Sequence, residues 1–446
     1  MNWLLRRTAR FRSSSRLMIS SANLSAQAIN FIGGLIVARI LQRDGRGLVA
    51  TVSVYDEASS TALSLGVPAA VGHSAARVDG ADAVRRAEST LLGSAVVIAV
   101  VSAPIAAIAA YLVDRYALGE TPQSIRLLVI VAITATPFLN SIPQACRMIL
   151  VARGQMARLA PIVMAPPVVR LTLFSVLALL GELTSGLAAA SVLLGSWIGS
   201  AISWALAGVR PMRGGEIKPL LSYGLRTVPA SLASLTNSRL DQLLMVPLLS
   251  TQDLGVYAVA VGVAFVPVNV GSALALSIFR EAARDDAERS GTRTRFRQAV
   301  LATGGAGVVS AIGAAALIVP VYGSAFADSV TPALLLITGS AFIGLSLVVV
   351  QIANACGLPG VGSVSAVAAL VVTIVGLIIA LPTYGVVGAA TVSLIAYLVR
   401  FVIAFAMVRA RGLLGGASGS SSRSESSGGD PKRIEQETQS STPNGS

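Results

Sequence analysis

Charge is what this chain of 446 residues has least of: Asp, Glu, Lys and Arg together make up 12% of it. A soluble domain keeps about a quarter to a third of its surface charged, so a water-soluble globular protein is excluded. Histidine is reduced to His73, and cysteine to Cys146 and Cys356. Neither number nor spacing makes a Cys/His metal site or a disulfide framework. The two cysteines are read as small hydrophobes, and His73, with no titratable neighbour in sequence, as an interfacial residue. Lysine is nearly missing as well, with Lys218 and Lys432 alone, so the net charge of +13 is arginine charge.

Long apolar runs are abundant. Hydrophobic residues make up 54% of the chain, and about 20 in a row are needed to cross ~30 Å of hydrocarbon. Twelve segments meet that measure: 17–41, 48–72, 89–113, 124–151, 159–181, 186–208, 219–249, 255–279, 298–322, 329–355, 361–382 and 385–408. The fold class expected is an all-α polytopic membrane protein. The breaks between segments are too short for a soluble catalytic domain.

The basic residues are unevenly distributed. With the N-terminus inside, twenty-four of the 34 fall in the inner connections and tails, whereas Arg43, Arg46 and Arg115 are the three assigned outside. Cytoplasmic loops carry such an excess, so both termini are expected in the cytoplasm and the protein in the cytoplasmic membrane. The charge is topological, with some attraction to anionic headgroups, and nucleic-acid binding is rejected. Residues 1–16 form a basic N-terminal piece with no small-residue cleavage site after it. The stretch 280–297 reads as a solvated connector. Residues 412–446, Gly/Ser-rich and polar, read as a disordered tail.

The halves resemble each other. LQRDGRGLVATVSV (41–54) lies on LSTQDLGVYAVAVG (249–262), placing Leu41 on Leu249, Gly47 on Gly255 and Ala50 on Ala258. GLAAAS (186–191) lies on VGAATV (387–392) when Leu187 is set on Val387. Each match follows a short outer turn leading into a new helix. Six helices per unit make the repeats parallel, with two bundles flanking a substrate route. The expected units are 17–209 and 219–411, joined by a linker at 210–218.

On these residues the chain resembles the multidrug/oligosaccharidyl-lipid/polysaccharide flippase superfamily, and within it the polysaccharide-biosynthesis (O-antigen type) flippases. The carriers are ARILQRDGRGLVA after helix one, YGLRTVPASLASLTNSRLDQLLMVPLLSTQDLGVYAVA across helices seven and eight, and LPTYGVVGAATVSLIAY opening the last hairpin. The first turn departs from the family pattern, with Gln42-Arg43 where Gly-Pro is common. Twelve helices disfavour the peptidoglycan-precursor branch, which usually has fourteen. The resemblance implies a V-shaped two-lobe transporter, not an enzyme. It also implies a polyprenyl-diphosphate-linked oligosaccharide as substrate, and glycosyltransferases or a polymerase of the same pathway as partners.

Polar residues recur at helical spacing on single faces: Ser20, Asn23, Gln27, Asn30 and Gly34 in helix one; Ser53, Asp56, Glu57, Ser60 and Ser64 in helix two. Helix four gives Asn140, Gln144 and Arg147, and helix ten Ser340, Gly344, Gln351 and Asn354. Single serines fit interhelical hydrogen bonding; the charged members point to an aqueous cavity. In helix seven, Thr227, Ser231, Ser234, Ser238 and Asp241 share a face. Arg239, ~200° away, needs a partner on another helix or the outer surface. Charges at membrane depth cost ~2.5–3.5 kcal/mol each, so Asp56, Glu57 and Asp241 are expected to bind a coupling cation, a proton or sodium ion, with no other cofactor. Arg170, after the kinking pair Pro166-Pro167, and Arg147 are expected to hold phosphate. The Asn and Gln stripes, with Gln351 and Asn354, are expected to meet sugar hydroxyls. Arg226 and Arg400 are second-tier candidates, and Arg39 an interfacial anchor. Two alternatives stand beside the flippase: a multidrug or cation antiporter of the same fold, and an integral-membrane polysaccharide polymerase or acyltransferase. The latter would call for a large outer loop or paired His and acid residues.

Overall fold

In hydrocarbon each backbone N–H and C=O must be paired inside its own segment, and apolar runs of this length satisfy that as helices. The computed structural model describes residues 2–75, 81–119, 121–136, 139–140, 142–212, 217–282, 289–356, 358 and 360–412. Among the described residues the chain is helical throughout, with no strand. The elements are α1 (Asn2–Ala62), α2 (Val67–Ala75), α3 (Ala81–Tyr116), α4 (Gln123–Thr136), α5 (Ile142–Ala152), α6 (Leu159–Leu179) and α7 (Ser185–Ala207). They continue as α8 (Ile217–Leu248), α9 (Thr251–Ala264), α10 (Val266–Ala282), α11 (Arg289–Tyr322), α12 (Val330–Ala355) and α13 (Gly360–Ala410). The tail from 413 and residues 283–288 of the 280–297 connector lie outside the described residues; 280–282 and 289–297, expected as connector, are helical, at the end of α10 and the start of α11.

Eight described stretches are long and apolar enough to cross a membrane. Two of them, in α1 and α13, are hairpins. Gln42 (φ 57°, ψ −162°) turns α1 back on itself, bringing Arg46 Nη2 within 3.5 Å of a Cβ placed on Gly34. Gly385 (φ 53°, ψ −133°) does the same in α13, where Gly376 and Val392 meet side by side. With α8, and with α4 and α5 in line, the chain makes twelve passes as expected. Helix one starts earlier than expected, at Asn2 instead of residue 17.

Three passes expected to be continuous are broken. The second stops at 63–66, where Leu65 and Gly66 have φ of 49° and 68°, and resumes as α2. The fourth is split between α4 and α5, and the eighth at Phe265. Each resumed helix carries proline at its second residue (Pro68, Pro143, Pro267). There a missing N–H costs nothing because no carbonyl of the same helix awaits it. Pro166 and Pro167 sit in a helix interior, yet α6 continues through them. Gly195 and Gly199 of α7 leave room for the proline turn: a Cβ on Gly199 would lie 2.6 Å from Pro166 Cγ.

The two halves meet across a contact that is reciprocal. A Cβ on Gly47 would strike the Thr251 carbonyl and lie 3.1 Å from Gly255 N; one on Gly255 would strike the Arg43 carbonyl and lie 3.1 Å from Gly47 N. Gly47 and Gly255 are the residues that the internal repeat superposes, and Arg43 and Thr251 each precede their glycine by four. A self-matching contact of this kind marks a two-fold axis, here an approximate one between the repeats. Small residues allow such approach where helices gain nothing from hydrophobic exclusion. α8 links the halves by packing: Leu220 lies in a core with Val67, Ile149 and Ala207, and Met245 in another with Tyr257 and Ile318.

Candidate functional site

Between the halves lie two adjoining polar cavities of about 400 and 390 Å³. They share Ser53, Arg170, Val192 and Arg239, so they form one chamber. Both passes of α1, with α5, α6, α7, α8, α9 and the end of α11, supply its wall.

Arg170 stands at the junction. Its stem fits against α7 because residue 195 is glycine; a Cβ there would lie 2.8 Å from Arg170 Cγ. Its Nε donates to the Val192 carbonyl (3.3 Å), and Nη2 donates to Ser196 Oγ (2.7 Å). Ser196 in turn donates to Asp56 Oδ2 (3.2 Å), and Asn140 Nδ2 donates to Asp56 Oδ1 (3.2 Å). Thus Asp56 and Arg170 are joined through one hydroxyl, with no direct ion pair recorded between them. Gln144 donates to Ser60 (2.8 Å) on the same wall. Arg239 Nε donates to Glu57 Oε2 at 2.8 Å, an ion pair between the halves.

Two arginines of the chamber are less well satisfied. Arg46, which lines the first cavity, and Arg147, which lines the second, each have a buried Nε with no hydrogen-bond partner among the described residues. Buried donors are nearly always paired, so these two guanidinium groups retain bonding capacity for an anion. Together the linings hold Arg46, Arg147, Arg170 and Arg239 against Asp56 and Glu57. The chamber carries a net charge of +2.

Of the residues singled out in the sequence, Gln27, Asn30, Asp56, Glu57, Asn140, Gln144, Arg147 and Arg170 line this chamber. Asn23 is exposed and lines neither cavity; Gln351 and Asn354 lie apart in α12, bonded to each other at 3.3 Å. Asp241 is a correction. Expected on the cavity face, it is buried in the second half, where Tyr257 OH donates to its Oδ2 and the Gln242 N–H to its Oδ1 (2.7 Å). Arg239, expected to point away, lines both cavities. The 200° between them was legible; which side faced the chamber was not, because each side of α8 carries one charged residue. Ser231, Ser234 and Ser238 have side chains outside the described residues, while Thr227 lies against Gly66.

Arg46 is the residue that sequence reasoning missed. Assigned to an outer loop, it belongs to the second pass, which starts directly after Gln42. Continuing the Ser53, Glu57, Ser60 stripe back by seven residues reaches it. Arg39 and Arg43 are likewise more than surface anchors. Arg39 donates to the carbonyls of Val321 (2.6 Å) and Pro320 at the open end of α11, and Arg43 to that of Ala325 and to Asp328 (2.8 Å). Asp44 accepts from Thr251 (3.0 Å) and Gln252 (3.1 Å). These contacts tie the corner at Gln42 to the start of α9 and the end of α11. Elsewhere in the same halves Gly66 is seated on Gly224, and His73 stacks on Tyr223 with ring centroids 4.3 Å apart. Arg226 is exposed, and Arg400 Nε is buried without a partner, away from the chamber. Cys146 is buried and Cys356 exposed. Among the described residues no three His, Cys, Asp or Glu side chains come together as a metal site.

Among solved structures, the lipid II flippase MurJ in an inward closed conformation superposes with a TM-score of 0.70 at 13% identity, covering 89% of both chains. An inward-facing multidrug resistance MATE family transporter of the MOP superfamily gives 0.66 at 15%, covering 90% of this chain and 100% of the other. The eukaryotic MATE transporter AtDTX14 gives 0.52 at 14%, covering 92% and 98%. At these identities the likeness establishes the fold alone. No curated protein matches the chain in sequence. The family model described as "Polysaccharide biosynthesis protein" matches residues 36–331, which include the reciprocal glycine contact and the four chamber arginines. A multi-pass membrane protein with this fold and that match across most of its length belongs to the polysaccharide biosynthesis protein family.

Proposed function

We propose that the protein is a flippase that moves a polyprenyl-diphosphate-linked oligosaccharide from the inner to the outer leaflet of the cytoplasmic membrane, with both termini in the cytoplasm. One observation carries the reading. The chamber holds four arginines and two carboxylates, two arginines of which have an unpartnered Nε. A diphosphate diester brings about two negative charges, which balances the net +2. Arginine pairs with phosphate oxygens through two parallel N–H bonds, and Asn30, Asn140 and Gln144 supply amides of the kind that bind sugar hydroxyls.

The two halves would rock about the chamber, opening it in turn toward the cytoplasm and the outside. Asp56, bonded to Arg170 only through Ser196, suits the binding and release of a proton or sodium ion in step with the anion. Glu57 holds Arg239 while the chamber is unloaded, and Asp241 is a second, separate carboxylate for a coupling ion. The family's place in polysaccharide synthesis favours glycosyltransferases or a polymerase as neighbours in the pathway. A drug exporter of the same fold handling cations is disfavoured by the positive chamber.

The test is mass spectrometry of lipid extracts from a strain lacking the protein. Diphosphate-linked oligosaccharide should build up, with loss of the surface polymer, and wild type should reverse this where Arg170→Ala does not. Absence of build-up together with new sensitivity to cationic dyes would overturn the flippase in favour of drug export.

A further inference from the structure

The two arginines with an unpartnered Nε, Arg46 and Arg147, stand at different depths of the chamber. Passes two, four and six run in the same direction, so their registers can be followed turn by turn. One layer holds Asp56, Asn140 and Ser196, joined by hydrogen bonds. Four residues on in each helix come Ser60, Gln144 and Ser200, with Gln144 bonded to Ser60. Arg147 lies almost a further turn along. Arg46 is displaced the other way. Its Nη2 lies 3.5 Å from a Cβ placed on Gly34, eight residues before the Gln42 corner and therefore level with Ala50, eight after it. From Ala50 to Ser60 is about 15 Å along the helix at 1.5 Å per residue. Helical side chains lean back toward the preceding turn, so Arg147 reaches at most to the Gln144–Ser60 layer. The two guanidinium groups thus stay about 15 Å apart along the helix axes. A diphosphate, two phosphorus atoms sharing one oxygen, spans less than half of that.

Ser200 is a second open group on the Arg147 side. It is 3% exposed and lines the same cavity, and its Oγ has no hydrogen-bond partner among the described residues. In the same helix Ser191 and Ser203 donate to the carbonyls four residues back, those of Leu187 and Gly199. Ser200 does not close in this way, so its hydroxyl is left for an occupant of the cavity. That occupant is an anion, because the carboxylates of the lining are engaged elsewhere: Asp56 with Asn140 and Ser196, Glu57 with Arg239.

We propose that the chamber contains two separate anion stations, an inner one at Arg147 and Ser200 and an outer one at Arg46, and that the diphosphate is passed from one to the other. The inference rests on the proposed function, its orientation included, and divides its anion site in two. Between the stations, Arg170 and Arg239 already have acceptors in Ser196 and Glu57. Those contacts keep the middle of the path shallow. Four free arginines in a row would hold the anion too tightly to release it, whereas passage needs several sites that are each weak enough to leave. The head is held where it enters and where it departs, and only loosely in transit.

The experiment compares binding with export in the full chain carrying Arg46→Gln, Arg147→Gln or both. Calorimetry in detergent micelles reads the binding of inorganic pyrophosphate. The strain lacking the protein, complemented by each variant, reads export as accumulated diphosphate-linked oligosaccharide. Where either station suffices for binding, each single variant should lose no more than about fivefold and the pair at least about fiftyfold, more than the two single losses multiplied together. Export, which needs both stations, should fail in each single variant. One site sharing both arginines predicts about tenfold or more for each single variant, the cost of a charged hydrogen bond, and a pair no worse than the product. That result, or normal export in either single variant, would overturn the two stations. Should Arg147→Gln not survive purification, Arg147→Met, apolar and similar in length, replaces it. Ser200→Val should weaken binding several-fold in the Arg46→Gln background and barely in wild type; an equal loss in both would overturn the inner station. A wild-type protein that binds no pyrophosphate, and whose deletion causes no build-up, would overturn the flippase reading itself.

Discussion

Replacing Gly47 and Gly255 by alanine, singly and together, tests the reciprocal contact between the halves. A Cβ on Gly47 would lie 2.8 Å from the Thr251 carbonyl carbon, against about 3.5–4.0 Å for an ordinary carbon contact. The two helices must therefore part by roughly 1 Å. A gap of that size forfeits up to about half of each dispersion well, and ten to twenty contacts of ~0.1–0.2 kcal/mol are at stake along such a seam. Adding direct strain, each single substitution should cost about 1–3 kcal/mol, the usual range for overpacking. The second substitution then meets a seam already opened by the first. The double variant should cost little more than either single one, giving a coupling of about 1–2 kcal/mol in a double-mutant cycle. Reversible denaturant unfolding in mixed micelles gives the three differences. Additivity within ~0.5 kcal/mol, or two neutral singles, would show that the glycines do not share one contact.

Four further outcomes follow from the same structure. Arg46→Ala should block export as fully as Arg170→Ala while leaving the protein folded, read as accumulated lipid-linked oligosaccharide; normal export would remove Arg46 from the anion site. Glu57→Gln breaks a half-exposed ion pair, so thermal stability should change by no more than about 1 kcal/mol. Pyrophosphate should then bind several-fold tighter to the freed Arg239; weaker binding in calorimetry would contradict the count of charges. Gly385→Ala should destabilise by ~1–3 kcal/mol through its positive φ alone, since nothing lies within 4 Å of the added Cβ. Gly304→Ala, equally open but inside a helix, should stabilise by ~0.5–1 kcal/mol; thermal shifts of the same sign would refute the distinction. Asp241→Ala leaves the buried Tyr257 hydroxyl without its acceptor and should cost about 1–3 kcal/mol, whereas Asp241→Asn, which keeps an acceptor, should cost clearly less in the same unfolding assay.

The number of passes was legible because hydrocarbon permits so few solutions to backbone pairing, and the repeat because Gly47 and Gly255 answer a contact that only glycine permits. The polar stripes of helices two and four correctly placed Asp56, Glu57, Asn140, Gln144 and Arg147 on one chamber wall. What failed was decided by tertiary contact. Leu65 takes a positive φ with no local sequence reason; the cause is the close seat of Gly66 on Gly224. Arg46 was hidden by the assumption that an arginine between two apolar runs belongs to a loop. The tight corner at Gln42 leaves no loop there, so the next turn is already inside the membrane. The prolines at the restarts of the second, fourth and eighth passes were in plain view, but proline marks a helix start only when the preceding residues are known to have stopped.

The approximate two-fold axis has a consequence for how the halves have divided their labour. The register that lays Gly47 on Gly255, an offset of 208, also lays Arg46 on Leu254, Asp56 on Ala264 and Glu57 on Phe265. Every charge that the second pass gives to the chamber has an apolar counterpart in the eighth. Phe265, the partner of Glu57, is also where the chamber wall passes into an adjoining apolar cavity. A duplicated scaffold has thus kept its seam and lost the equivalence of its faces, one copy retaining ionic side chains and the other becoming oily. An amphiphile placed between such unequal twins has only one orientation that suits both.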